Sequence, residues 1–464
     1  MSVDERRQAD VATGMATGRN VLFVIVSLAL LMISVDQTIV STALPSIQSD
    51  IGAPLGWTVW TITVYALGQV VAKPLAGRLN DRLGPRRLFL VSAAVFTAAS
   101  VCCGLAADIY MLIAMRLVQA LGGGVIVPAG SAIVSHAFGA DRDRALGLFT
   151  SIVPVGALIG PVLGGLLVHA WSWRAIFLVN LPIGVILLVA GYLRVPRIDT
   201  ARASGPTDVA GIILMTFTVV GVMAGITELG DTRFGAAPAI AAGCLVLAAV
   251  LAVLLARHIR GHPNPVVAPN LLAGRSFGTM NVINFLYGCT ALGLATLVPL
   301  YAERRYAIPP LEAGTLLTAR AVGIILVSGL TTFALRRTGY RRPMLVGSLF
   351  IACGLALMAF PAPLPPVLWL AVTAAIAGLG MGVVAPASNN ATLYLAPAQL
   401  AEITGLRGMF RQTGSITAVS VATAITERSA HPGAALGYVF AAFAVIVVAT
   451  QPLLRWVADR RGAW

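Results

Sequence analysis

Uninterrupted apolar stretches about twenty residues long return from one end of this 464-residue chain to the other. A bilayer core has no water, so a spanning segment must satisfy its own backbone N–H and C=O groups, which leaves helices or closed barrels. The runs lack the two-residue alternation of barrel strands. They predict fourteen membrane helices, near 20–46, 57–79, 86–106, 109–133, 144–168, 174–194, 208–228, 236–256, 276–300, 312–335, 342–361, 364–391, 402–426 and 433–455. The chain therefore reads as an all-α polytopic membrane protein.

Composition limits what else it can be. Only 11% of the residues are charged against 58% hydrophobic, which is not a water-soluble globule. The net charge of +14 comes from arginines, with Lys73 the single lysine, scattered between the apolar runs rather than gathered in a basic domain. That argues against nucleic acid as a partner and for a topology signal. Most of these cations fall on the side of the N-terminus, so the positive-inside rule places both termini in the cytoplasm and the chain in the plasma membrane. Residues 1–19 carry both charge signs with no cleavage site and read as a cytoplasmic tail, not a removable signal. Five cysteines lie inside apolar runs without metal-site spacing, and the five histidines fall mainly at span ends, so no metal site is expected.

Two loops share one skeleton. "GRLNDRLGPRR" (77–87) and "FALRRTGYRR" (333–342) both contain RxGxRR, with Gly84 and Gly339 255 residues apart. The first and ninth spans begin 256 residues apart. The chain thus divides into a tail (1–19), a six-helix bundle (20–194), a linker carrying two inserted helices (195–275), a second six-helix bundle (276–455) and a tail (456–464). Duplicated six-helix halves are an architecture of secondary transporters, with the substrate site near mid-membrane.

The motifs in these halves resemble the major facilitator superfamily, and within it the fourteen-span drug:proton antiporters. "GRLNDRLGPRR" is similar to the signature loop between spans two and three, with Pro85 where that loop usually has a base. "IAMRLVQALGGG" (113–124) resembles the fourth-span motif with its buried Arg. "GALIGPVLGG" (156–165) resembles the fifth-span antiporter motif. "SVDQTIVSTALPSI" (34–47) and "WSWRAIFLVNLPIG" (171–184) resemble the first-span pattern and the entry to the sixth span. The resemblance implies a proton-coupled exporter of hydrophobic or amphiphilic compounds. The same fold also serves exporters of lipids or lipid-like metabolites. It implies no cofactor beyond protons as coupling ion, and a monomer in contact with membrane lipids.

Asp36 is the one acid well inside a span, where a charge costs roughly 2.5 to 3.5 kcal/mol even on the lenient insertion scale. At ~1.5 Å per residue, Asp36 and Arg116 lie about 15 and 10 Å below the outer ends of their spans. They are the proton-coupling candidates, because desolvation raises and a neighbouring cation lowers the proton affinity of a buried carboxylate. A permanent structural ion pair is the alternative. A cytoplasmic gate is assigned to Gly77, Asp81, Arg82, Gly84, Arg86, Arg87, Arg144 and Arg411, with Asp81 expected to accept from Arg82 or Arg86 or to cap a helix. Arg407 shares a face with Arg411 at i, i+4. Gly156, Gly160 and Gly164, followed by Gly165, predict close helix approach, and Pro161 a kink.

Substrate contacts are expected from Gln37, Tyr65, Gln69, Asn284, Phe285, Tyr287 and Arg320, with Asn281 nearby; helix–helix hydrogen bonding competes for the polar ones. A single deep acid favours monocationic or neutral amphiphiles over dications. There is no GxSxG, HExxH or GxxxxGK[ST] sequence, so neither a membrane hydrolase nor an ATP-driven pump is expected.

Overall fold

The computed structural model describes residues 3–53, 55–197, 208–230, 237–263, 265, 267–272, 275–291, 293–396 and 399–459, and every regular element among them is helical. The chain divides into two compact units: Met1–Ala72 with Ala76–Ala203, and Lys73–Leu75 with Ser204–Trp464.

The first unit holds α1 (Val3–Ile51), most of α2 (Leu55–Leu83), α3 (Pro85–Gly104), α4 (Ile109–Phe138), α5 (Arg142–Thr150), α6 (Ile152–Ala170), α7 (Ala175–Leu178) and α8 (Asn180–Arg194). The second holds α9 (Val209–Gly230), α10 (Ala237–Gly261), α11 (Pro269–Leu272), α12 (Arg275–Ala291), α13 (Gly293–Tyr306), α14 (Pro310–Thr338), α15 (Arg341–Ala359), α16 (Pro366–Tyr394), α17 (Leu400–Glu427) and α18 (Pro432–Ala449). The inserted pair, α9 and α10, therefore clusters with the second unit.

The repeated loops take matching conformations. Gly84 and Gly339 both adopt left-handed backbone, with φ of 75° and 73°, a region open to glycine without steric cost. Each ends one helix and leads into the next, and Pro85 occupies the first position of α3, where its missing N–H costs nothing.

Among the described residues, eleven helices are long and apolar enough to cross a membrane. The expected second, ninth and thirteenth spans are helical but fall outside that set. They are the more polar runs: α2 carries Gln69, Lys73 and three further charges, and α17 carries Glu402, Arg407, Arg411 and Gln412. The expected ninth span runs over α12 and α13, with residue 292 between them outside the described residues. The fifth span is interrupted at Ser151; Pro161, where a kink is expected, lies inside α6. Pro154, three residues past the interruption, lacks the N–H that would reach back to Thr150.

Much of the exterior is apolar. Val246, Leu247, Val250, Val253 and Leu254 of α10 are all exposed. A helix that is apolar all round yet so little covered by protein belongs against lipid.

Candidate functional site

In the first unit the sequence places four polar groups on three helices, and the fold gathers them around one carboxylate. Asp36 of α1 and Arg116 of α4 are both 1% exposed. Arg116 Nη1 donates to Asp36 Oδ2 at 2.8 Å and to Gln119 Oε1 at 2.7 Å. Gln119 Nε2 and Asn180 Nδ2 donate to Asp36 Oδ1 at 3.0 and 3.2 Å. Both amides also reach Ser100 Oγ, which donates to the Phe177 carbonyl. The guanidinium lies over the Tyr65 ring at 3.9 Å and Phe177 at 5.6 Å, and its Nε donates to the Thr61 carbonyl. A charge pair this deep stands only if its remaining donors and acceptors are filled, and here α2, α3, α4 and α8 fill them.

The depth argument from sequence brought Asp36 and Arg116 together; Gln119, Asn180 and Ser100 it missed. A signal existed for Asn180, since it lies in the sixth-span motif "WSWRAIFLVNLPIG". The opening of that motif anchors the same helix: the Trp173 indole donates to Asp50 Oδ2 at 2.9 Å, and Arg174 pairs with the same carboxylate at the end of α1.

The glycine face lies against this helix. A Cβ at Gly156 would strike Ser34, one at Gly160 would strike Thr38, and one at Gly164 would strike Thr42. Ser34 Oγ donates to the Val153 carbonyl at 2.6 Å, tying α1 to the first turn of α6. Gly165, by contrast, faces open space. The motif thus sets α6 against the helix that carries Asp36.

Of the expected substrate residues, Gln37 donates to Gln69 across α1 and α2 at 2.9 Å. Asn284 donates to the Met280 carbonyl and accepts from Ser388, a helix-bracing role, while Asn281 donates to the Leu271 carbonyl. Phe285 presents its backbone to Gly414 of α17. Tyr287 meets Arg411, whose guanidinium lies 5.2 Å from the ring centre. Arg320 and Arg407 lie within electrostatic range of the same tyrosine. Expected gate and expected substrate residues thus form one cationic cluster in the second unit. Among the described residues, Arg407 Nε and Arg411 Nε are buried without a hydrogen-bond partner, and no salt bridge joins either arginine to an acid.

At the signature loop, Arg86 donates to the Tyr192 carbonyl at 2.5 Å and lies over the Tyr192 ring, instead of pairing with Asp81. Asp81, beyond the expected end of its span, is held above the usual carboxylate range by burial, opposed by Arg78 and a hydrogen bond from Asn80. Arg82 and Arg87 are exposed, and Gly77 is buried. Arg144, exposed at the start of α5, borders a cleft of about 330 Å³ with Arg19, Phe138 and Asp141. Arg19 sits over the Phe138 ring there and lies 4.0 Å from Asp141.

These arrangements match known proteins in both sequence and fold. Residues 26–419 match the model of the Major Facilitator Superfamily. The multidrug resistance protein B homolog of Mycobacterium tuberculosis is 32% identical over 407 residues, covering 86% of this chain and 74% of that protein. The multidrug transporter protein MdtP of Bacillus subtilis is 27% identical, with 89% and 76% covered. The riboflavin transporter RibZ of Clostridioides difficile is 26% identical, with 82% of each covered. The crystal structure of the human organic anion transporter MFSD10 superposes with a TM-score of 0.68 at 15% identity, over 94% of this chain and 99% of that one. Family model, relatives and fold agree: the chain belongs to the major facilitator superfamily.

Proposed function

We propose that this chain exports lipophilic small molecules in exchange for protons, cycling Asp36 between charged and neutral forms as two halves of a fourteen-span fold alternate in access. The chain is a transporter of its superfamily, not an enzyme. The observation that carries the finer reading is the Asp36–Arg116 pair, held at 2.8 Å within a shell of amides and hydroxyls. An ion pair that deep gives little net stability over apolar side chains, and intramembrane acids are kept where protons or substrates pass. The amides supply a resting place for either protonation state, since Gln and Asn can both donate and accept. A proton entering down 100 mV supplies roughly 2.3 kcal/mol and each pH unit about 1.4, sufficient for a several-hundredfold substrate gradient.

The charge distribution also favours one substrate class. Asp36 is compensated by Arg116, whereas Arg407 and Arg411 meet no acid among the described residues. This supports a neutral or anionic amphiphile, where the sequence favoured a monocationic or neutral one. The relatives named as multidrug transporters support export of several compounds. The test is uptake into inside-out vesicles with an imposed pH gradient, for wild type and Asp36→Asn. Wild type should concentrate substrate and the variant should not. Accumulation by the variant, driven by the pH gradient, would sink the reading.

A further inference from the structure

The inserted helices hold a side-chain cluster that transport does not use. Asp208 caps α9: its carbonyl accepts from Ile212 and its Oδ1 accepts from Gly211 N at 2.8 Å, the bonds of an N-cap. The cap is fully folded back, because a Cβ at Gly211 would collide with Asp208 Oδ2. At the far end of the hairpin, His258 lies in the last turn of α10. His262 N still donates to the His258 carbonyl at 3.0 Å, so the helical rise continues and the two imidazoles share one face at i, i+4. Their ring centres are 5.2 Å apart and only 32° from parallel. His258 Nε2 is 2.6 Å from Asp208 Oδ1. One donor atom from each of the three residues lies within 4.8 Å of the other two.

The cap and the Asp208–His258 contact are what closing the open end of a helical hairpin asks for. They do not require a second imidazole on the same face beside a carboxylate whose side chain is 2% exposed. A cation satisfies all three at once. Two imidazole nitrogens and one carboxylate oxygen suit zinc and its first-row neighbours, whereas calcium and magnesium prefer oxygen throughout. His258, a quarter exposed, leaves a path for entry. Arg257 and Arg260 are exposed on other faces of α10. In a tetrahedral site the donor atoms stand about 3.3 Å apart, so the cation replaces the shared proton and parts His258 from Asp208 by less than 1 Å.

We propose that Asp208, His258 and His262 bind a divalent first-row transition cation, zinc by ligand type, which staples the start of α9 to the end of α10. Both ends carry the connections of the inserted pair to the rest of the chain, so the staple fixes where the hairpin is held.

The test uses untagged full-length protein in detergent, dialysed against zinc and analysed for metal. Wild type should retain one zinc per chain, and His258→Gln and His262→Gln should each weaken binding about tenfold or more. Asp208→Asn keeps a good capping residue and should lose zinc while holding its melting temperature in chelator. Cobalt should give the visible absorption band of a nitrogen- and oxygen-ligated four-coordinate site in wild type only. Zinc content near zero in wild type overturns the proposal, as does equal content in wild type and His262→Gln. Should Asp208→Asn fail to fold, the two histidine variants decide.

Discussion

The first unit buries a charge against its opposite; in the second, Arg407 and Arg411 lie side by side with no acid paired to either among the described residues. Asp36 and Arg116 sit 2.8 Å apart with amides from α4 and α8 closing the remaining positions. Arg407 and Arg411 share one face of α17, and an aromatic ring, Tyr287, takes the place of a carboxylate. On the proposed function, the difference is a division of labour between the two units. A closed, self-compensated pair can trade a proton without needing substrate charge, whereas cations held by a ring remain able to receive a polar group from outside.

The comparison breaks most visibly at Asp36. Asp36→Asn should fold, since the amide still serves Gln119 and Asn180, yet gradient-driven transport should fall to background while energy-independent substrate exchange survives. Arg116→Gln should be worse for stability, because it strands a buried carboxylate, a loss of about 3 to 5 kcal/mol in soluble proteins. Adding Asp36→Asn to it should recover most of that loss, read as recovery of melting temperature in detergent. A double variant no more stable than Arg116→Gln would mean the pair is not coupled as the geometry requires.

The second unit gives the next effect. Arg411→Gln should reduce export of an anionic amphiphile about tenfold, near 1.4 kcal/mol of recognition, and affect a neutral one less. Arg411→Lys should restore part of it, because a point charge replaces the planar guanidinium that lies over Tyr287. Equal loss for cationic and anionic compounds would erase the contrast between the halves.

Packing sharpens the same comparison. Where α1 meets α6 in the first unit, α6 supplies the glycines, and α1 brings Ser34, Thr38 and Thr42 against them. In the second, α12 and α17 each give one: a Cβ at Gly288 would meet the Arg411 backbone, and one at Gly414 the Phe285 backbone. Gly160→Leu should cost about 1 to 3 kcal/mol through overpacking, measured as a lower melting temperature. Gly288→Ala should act on transport by moving the backbone of Arg411, without touching its side chain. If it changes stability and leaves transport intact, the position of Arg411 does not matter.

What the sequence disclosed follows from how far each signal reaches. Asp36 stood out because an acid inside an apolar run is costly wherever it lies, and Arg116 because similar depth made contact possible. Gln119, Asn180 and Ser100 were not read as site residues, although the first two lie in the quoted motifs, since single amides and hydroxyls in membrane helices serve equally well as packing contacts; what distinguishes them is the network they build around Asp36. His258 and His262 carried readable i, i+4 spacing, but their third partner is 50 residues away and becomes a neighbour only when α9 and α10 fold back on each other. Arg86 was one of two arginines offered to Asp81, beside a capping role for the acid, whereas the end of α8 gives it a carbonyl and a ring.

Asp81 gives the smallest effect and a sign that a merely structural acid would not show. Burial holds its carboxyl above the ordinary range against the pull of Arg78 and Asn80. A raised carboxylate binds its proton more tightly in the folded state than in the unfolded one, so its contribution favours folding at low pH and is lost as pH rises through the raised value. Asp81→Asn should therefore melt no lower than wild type at neutral pH, and the two should converge as pH falls. A latch predicts that transport nevertheless slows a few-fold, because a residue kept at some expense of stability acts in the cycle rather than in the resting fold. A variant that melts lower at neutral pH and transports normally would make Asp81 a structural residue, leaving the loop with its left-handed Gly84 and its arginines alone.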